Sequence, residues 1–152
     1  MGKLKEQYLR DAVKEYTKRI SRYCRIEIFQ VKDEVAPTKP SFGEEEKILL
    51  AEGERVAKHI KQDAYVIALD IKGEQVNSEA LAQRLETLML RGNNHFTFII
   101  GGSLGLHDSV LDRANWRLSF SKMTFPHQLM RVILCEQLYG SFTILKGEKY
   151  HK

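Results

Sequence analysis

Two loops of this chain carry the residue types best suited to holding a small organic ligand. The apolar run Phe96–Ile100 ends abruptly in Gly101-Gly102. A second extended run, Trp116–Phe120, gives way to Ser121, Lys122, Met123 and Thr124, and then to Pro126. In open α/β sheets ligands bind outside the carboxyl ends of strands. Glycine lets a main chain come close to a ligand. Ser121, Lys122, Met123 and Thr124 offer backbone donors and acceptors, with Leu69 and Phe125 as apolar walls. Such a pocket suits an adenosine moiety. An isolated Gly-Gly also reads as a bare turn; its pairing with the second loop favours binding.

Other chemistries fit poorly. A dinucleotide fingerprint needs a differently spaced glycine set opening the first strand–helix unit, and here the glycines come late and out of register. No Gly-Lys-Ser/Thr follows them, and the chain has no G-x-S-x-G elbow. The five histidines, at 59, 95, 107, 127 and 151, lack metal-ligand spacing. Nucleophilic hydrolysis and zinc chemistry are therefore disfavoured, and no metal is expected.

The elements that would position these loops come from periodicity. Leu9, Val13, Tyr16 and Ile20 recur at steps of three and four, predicting a helix over 5–22. Residues 25–31 alternate as a half-buried strand would. Residues 32–43, with Pro37 and Pro40, read as a loop. A helix is expected over 44–60, with Glu44, Glu45 and Glu46 at its positive end. Residues 64–69 form an apolar run typical of a strand covered on both faces. Ser78 is a candidate cap for a helix over 79–90. After the strand at 96–100 come a short helix near 107–113, the strand at 116–120, and a long helix from Pro126 to about 145. Strands alternating with helices predict an α/β fold with a mainly parallel sheet, in a single domain over 1–152. The last helix is apolar almost all round, so it should be covered on more than one side. A subunit interface is the expected second cover, which makes the chain a homodimer.

At 43% hydrophobic and 29% charged, the 152 residues are an ordinary globular composition. No apolar stretch approaches the ~18 residues that span a bilayer. The N-terminus has no apolar core of a signal peptide. Cys24 and Cys135 stand alone, so a disulfide is not expected and a cytoplasmic location is the default. The net charge is +4. Residues 1–23 hold seven Lys/Arg against three Asp/Glu, and residues 116–152 hold six against two, while the middle is acidic. If the basic ends meet, they make a face for phosphates.

The chain resembles the ribosomal RNA large subunit methyltransferase H family of the SPOUT methyltransferases. The segments that carry the resemblance are Gly2–Leu9, Glu15–Tyr23, Ile67–Gly73, Phe98–Leu106, Leu118–Leu134, Glu136–Tyr139 and the terminal Tyr150-His151-Lys152. The string SFSKMTFPHQLMR and the YHK end are its most specific parts. The resemblance implies an α/β domain with a C-terminal trefoil knot, a rare exception to unknotted topology. It further implies a homodimer, S-adenosyl-L-methionine as cofactor, and methylation of N3 of a pseudouridine in 23S rRNA within the ribosome. The family's cofactor site falls on Leu69, Gly101, Phe120, Ser121, Lys122, Met123, Thr124 and Phe125. Catalytic candidates are Arg131, Tyr150 and His151, with His127 beside them. The tail would stack on a base or touch phosphate.

Three departures stand out. The family's short opening strand is missing before Met1. Gly140 stands where the family has arginine, and Lys149 replaces a frequent proline. Two alternatives accompany the main reading: a catalytically impaired homologue that still binds rRNA or the ribosome, and another SPOUT enzyme acting on tRNA.

Overall fold

An apolar run buried on both faces becomes the middle strand of a parallel sheet. The computed structural model describes residues 2–32, 34, 37–102 and 104–148, with side chains from Gln7 onward. The elements are α1 (Gly2–Ile20), α2 (Phe42–Ala57), β1 (Tyr65–Gln75), α3 (Ser78–Leu90), β2 (Phe96–Ile100), α4 (Asp108–Arg113), β3 (Trp116–Ser119) and α5 (His127–Leu145). They fall into two compact units. A sheet unit comprises Phe29–Gln75 and Asn93–Thr124. A helical unit comprises the chain up to Ile28, Val76–Gly92 and the chain from Phe125.

In the sheet unit the strand order is β2-β1-β3, all parallel. Val66, Ile67 and Ala68 are fully buried on β1, as a central parallel strand requires. Ala64, Val66, Ile99 and Val110 form a core against Val56, Ile60, Leu106 and Ala114. Asn115 lengthens the ladder ahead of β3. Its main-chain N–H donates to Val66 O, and its side-chain Oδ1 accepts from Val66 N, both at 2.8 Å. The Arg113 guanidinium donates to the carbonyls of Lys61, Gln62 and Ala64 just before β1. On α2, Ser41 and Glu44 form a reciprocal capping box. The hydrogen bond from Ser41 N–H holds the Glu44 carboxyl below its usual range.

β1 runs six residues past its expected end at Leu69. Leu69 pairs with Leu118, and then Glu74 pairs with Leu118 again and Gln75 with Ser119. Asp70–Gly73 therefore leave the ladder and return to it. A Cβ at Gly73 would lie 2.7 Å from Arg117 C and O, so only glycine fits the return. Trp116 Nε1 donates to Glu74 Oε1 at 2.8 Å and pins the returning segment.

The strand expected over 25–31 does not form. Alternation supplies two faces but no partner edge, and a strand needs a row of hydrogen-bond partners. Ile28 is 43% and Phe29 57% exposed instead, and Phe29 stacks on His59. The loop that follows is tied to α2: Arg55 donates to Lys32 O and pairs with Glu34, and Glu34 N donates to Glu52.

In the helical unit α1 and α3 pack on α5. Leu9, Ile20, Leu81, Leu85, Leu134 and Cys135 are buried, and the Tyr23 ring stacks on Phe142 with centroids 5.1 Å apart. Asn77, rather than Ser78, caps α3 by accepting from Ala80 N; the Ser78 hydroxyl donates to Gln137. Pro126 is the residue before α5, not its first helical residue. No helix among the described residues is long and apolar enough to cross a membrane.

Replacing Gly73 with alanine is expected to cost at least about 2 kcal/mol, because backbone cannot retreat from the added carbon. Gly43→Ala, where a Cβ meets nothing within 4 Å, should be neutral or stabilise by up to about 1 kcal/mol. Urea midpoints of the two variants check both.

Candidate cofactor site

Leu69 is the point at which β1 leaves the β3 ladder, level with the last residue of β2 and next to the end of β3. It pairs with Ile100 on one side and Leu118 on the other. Gly101 follows Ile100 directly, and Phe120 follows Ser119 at the end of β3. The sequence-predicted residues Leu69, Gly101, Phe120, Ser121, Lys122, Met123 and Thr124 thus lie at the ends of β2 and β3 and at the break in the β1–β3 ladder between them, all in one unit.

The first loop is built from main chain. Gly102 and Gly105 form an isolated bridge, with Gly105 N–H donating to Gly102 O at 3.1 Å. Gly105 has φ +88°, a left-handed conformation that favours glycine. A Cβ at Gly101 would lie 2.7 Å from Gly105 C and O and 3.0 Å from Leu106 Cγ. Turn geometry alone therefore demands glycine at 101. The same geometry leaves no side chain on Gly101, so the β2 end is a bare backbone cradle.

The second loop is held by its serines. Ser119 Oγ donates to Ser121 O, and Ser121 Oγ accepts from Met123 N, both at 2.9 Å. Ser119 is buried, while Phe120 and Ser121 are half-buried. Lys122 and Thr124 are exposed, and Met123 is 73% exposed. The loop's offering is chiefly main chain. With half-buried Leu69 and Phe120 beside it, this donor set fits an adenosine group.

The remaining predicted residues belong to the helical unit or lie outside the described residues. Phe125 is half-buried ahead of α5, and His127 opens that helix. Arg131 is half-buried one turn before Cys135. Burial pushes the Cys135 thiol up, and Arg131 opposes that shift. Tyr150 and His151 lie outside the described residues. Gly140 is buried on α5, and its carbonyl accepts from Thr143 Oγ1 at 2.8 Å.

Sequence reasoning missed two features. Tyr16 served only as an apolar helix position, yet its hydroxyl donates to Glu136, which pushes its pKa up to about 12. The Arg19 guanidinium lies 5.5 Å from the Tyr16 ring and 5.6 Å from that of Tyr139. The second is the Asp70–Gly73 excursion. Its signal was the polar Asp-Ile-Lys-Gly following an apolar run, which reads equally as the end of a strand.

A family model described as predicted SPOUT methyltransferase matches residues 1–151. Proteins named ribosomal RNA large subunit methyltransferase H are 57% identical in Bifidobacterium adolescentis and 54% in Ruminiclostridium cellulolyticum. One of the same name in Clostridium acetobutylicum is 52% identical. Each alignment covers all of this chain and 96% of the relative. The chain belongs to this methyltransferase H family of the SPOUT methyltransferases. Membership agrees with the parallel α/β sheet and with the resemblance carried by its motifs.

Gly101→Ala is expected to displace the 101–105 turn and weaken adenosine-ligand binding by more than about tenfold, roughly 1.4 kcal/mol, as read by calorimetry. Tyr16 gives a second expectation. Its folded pKa of about 12 lies above the ordinary tyrosine value of 10.0. Its stabilising contribution is therefore complete below pH 10 and is lost as pH rises through 12. Tyr16→Phe should remove that part of the alkaline loss of stability, and tyrosinate absorbance should lose its latest-titrating component.

Proposed function

We propose that the chain is an S-adenosyl-L-methionine-dependent methyltransferase that modifies N3 of a pseudouridine in 23S rRNA. The observation that carries this reading is 57% identity along all 152 residues to a protein named for rRNA large subunit methylation. The gathering of Leu69, Gly101 and the Phe120–Thr124 turn at one set of strand ends supports it. The two compact units are read as halves of one enzyme domain, since the family match runs through both. The family's trefoil knot, a homodimer built on α5 and a cytoplasmic location belong to the same reading. Val132, Ile133 and Leu138 on α5 are only half-buried within the chain, which leaves apolar surface for a partner copy.

The cofactor, when bound, supplies a methyl group made strongly electrophilic by its sulfonium. The strand-end main chain and Phe120 hold the adenosine end, and fixing methyl against nitrogen supplies much of the rate. The acceptor nitrogen is an imide, weakly nucleophilic until its proton leaves. Arg131 is assigned to stabilise the resulting anion. Tyr150 stacks on the target base, and His151 takes the proton or contacts phosphate. The basic ends of the chain supply the phosphate-binding face.

A second reading, an rRNA-binding chain that turns over poorly, is favoured by Gly140 in place of the family's arginine. A large rise in turnover on Gly140→Arg, with cofactor affinity unchanged, would support it. The main reading expects methyl transfer from labelled S-adenosyl-L-methionine to ribosomes lacking the modification, and N3-methylpseudouridine on nucleoside analysis. It also expects Arg131→Ala to lower kcat by about 100-fold without weakening cofactor binding. Methylated tRNA and unmodified rRNA would overturn it.

A further inference from the structure

Asp70 follows Leu69, the residue at which β1 leaves the β3 ladder, beside the ends of β2 and β3. The segments gathered there are the β1 excursion 70–73 and the loops 101–106 and 120–124. Across these segments Asp70 is the sole acidic residue, and Lys72 and Lys122 are the cations. Asp70 is half-buried, whereas Lys72 and Lys122 are exposed. Asp70 Oδ1 accepts from Lys72 N at 3.2 Å, which holds the carboxylate within the excursion. Among the described residues no ion pair joins Asp70 to a cation. The excursion is itself locked, by Gly73 against the Arg117 backbone and by Trp116 on Glu74. A carboxylate is thus fixed where the central strand leaves the β3 ladder, beside the ends of β2 and β3, without an ion-pair partner among the described residues.

We propose that Asp70 is the countercharge for the cationic end of the cofactor, and that it makes the site prefer the methyl donor over the demethylated product. This rests on the methyltransferase reading. Methyl transfer moves carbon from sulfur to nitrogen, the C–S electron pair stays on sulfur, and the nitrogen's proton leaves to base or solvent. The product therefore carries one positive charge less than the donor. A half-buried carboxylate attracts a charge far more strongly than a solvated one does. Asp70 then holds the donor by an attraction that methyl transfer switches off, and so aids product release.

The test is calorimetric titration of the full chain with S-adenosyl-L-methionine and, separately, S-adenosylhomocysteine. Asp70→Asn is the variant because its amide oxygen still accepts from Lys72 N and keeps the turn. The expected result is about tenfold or greater weakening for the methionine form and about twofold or less for the homocysteine form. Equal weakening of both, or no change in either, overturns the proposal. Should Asp70→Asn not fold, salt titration of the unaltered chain decides: added salt must weaken the methionine form more than the homocysteine form, and equal salt dependence overturns the proposal. An unaltered chain that binds neither compound contradicts the methyltransferase reading itself, a result distinct from any change on Asp70→Asn.

Discussion

The parallel pairing of Leu69 with Ile100 on one side and Leu118 on the other is the constraint on which the site depends. It brings the ends of β2 and β3 level with the break in the β1–β3 ladder, so three segments distant in sequence begin side by side. Burial drives that alignment. Val66, Ile67 and Ala68 are fully covered on both faces, so a slip of one residue would set each side chain against neighbours packed for another size. Asn115 and Arg113 reinforce it from the other end of the strands, by hydrogen bonds to Val66 and to the carbonyls before β1.

Close approach of main chain to main chain is the second theme. Gly73 and Gly101 both stand where a Cβ would sit 2.7 Å from backbone atoms. One lets β1 return to β3 after a four-residue detour, and the other lets the 101–105 turn fold against the end of β2. The strand-end loops consequently present backbone more than side chains, and Ser119 and Ser121 hold the loop after β3 by hydroxyl-to-backbone bonds. A surface of that kind suits a flat, polar-edged ligand and places few demands on side-chain chemistry.

Much of this was legible in the residues. The continuous apolar runs at 64–69 and 96–100 announced parallel strands covered on both faces, and the extended run at 116–120 announced a third strand, which ends at Ser119. The helices followed from spacing. The elements that misled were those whose fate lies outside their own sequence. Residues 25–31 alternate well, but alternation cannot name a pairing edge. The detour at Asp70–Gly73 is invisible locally, because returning to Leu118 depends on the Arg117 backbone and on Trp116 holding Glu74. Tyr16 looked apolar until α5 brought Glu136 to its hydroxyl. The loops proposed to hold the cofactor were readable as strand ends; that the turn itself demands glycine at 101 emerged only from its contact with Gly105.

The account's central claim is that the cofactor sits on these strand ends. Amide chemical-shift mapping of the full chain during titration with S-adenosyl-L-methionine tests it most directly. The account predicts that shifts concentrate on Leu69, Gly101, Gly105 and the Phe120–Phe125 turn, with α2 left unperturbed. Saturable binding whose shifts fall elsewhere, with those amides unmoved, would contradict it.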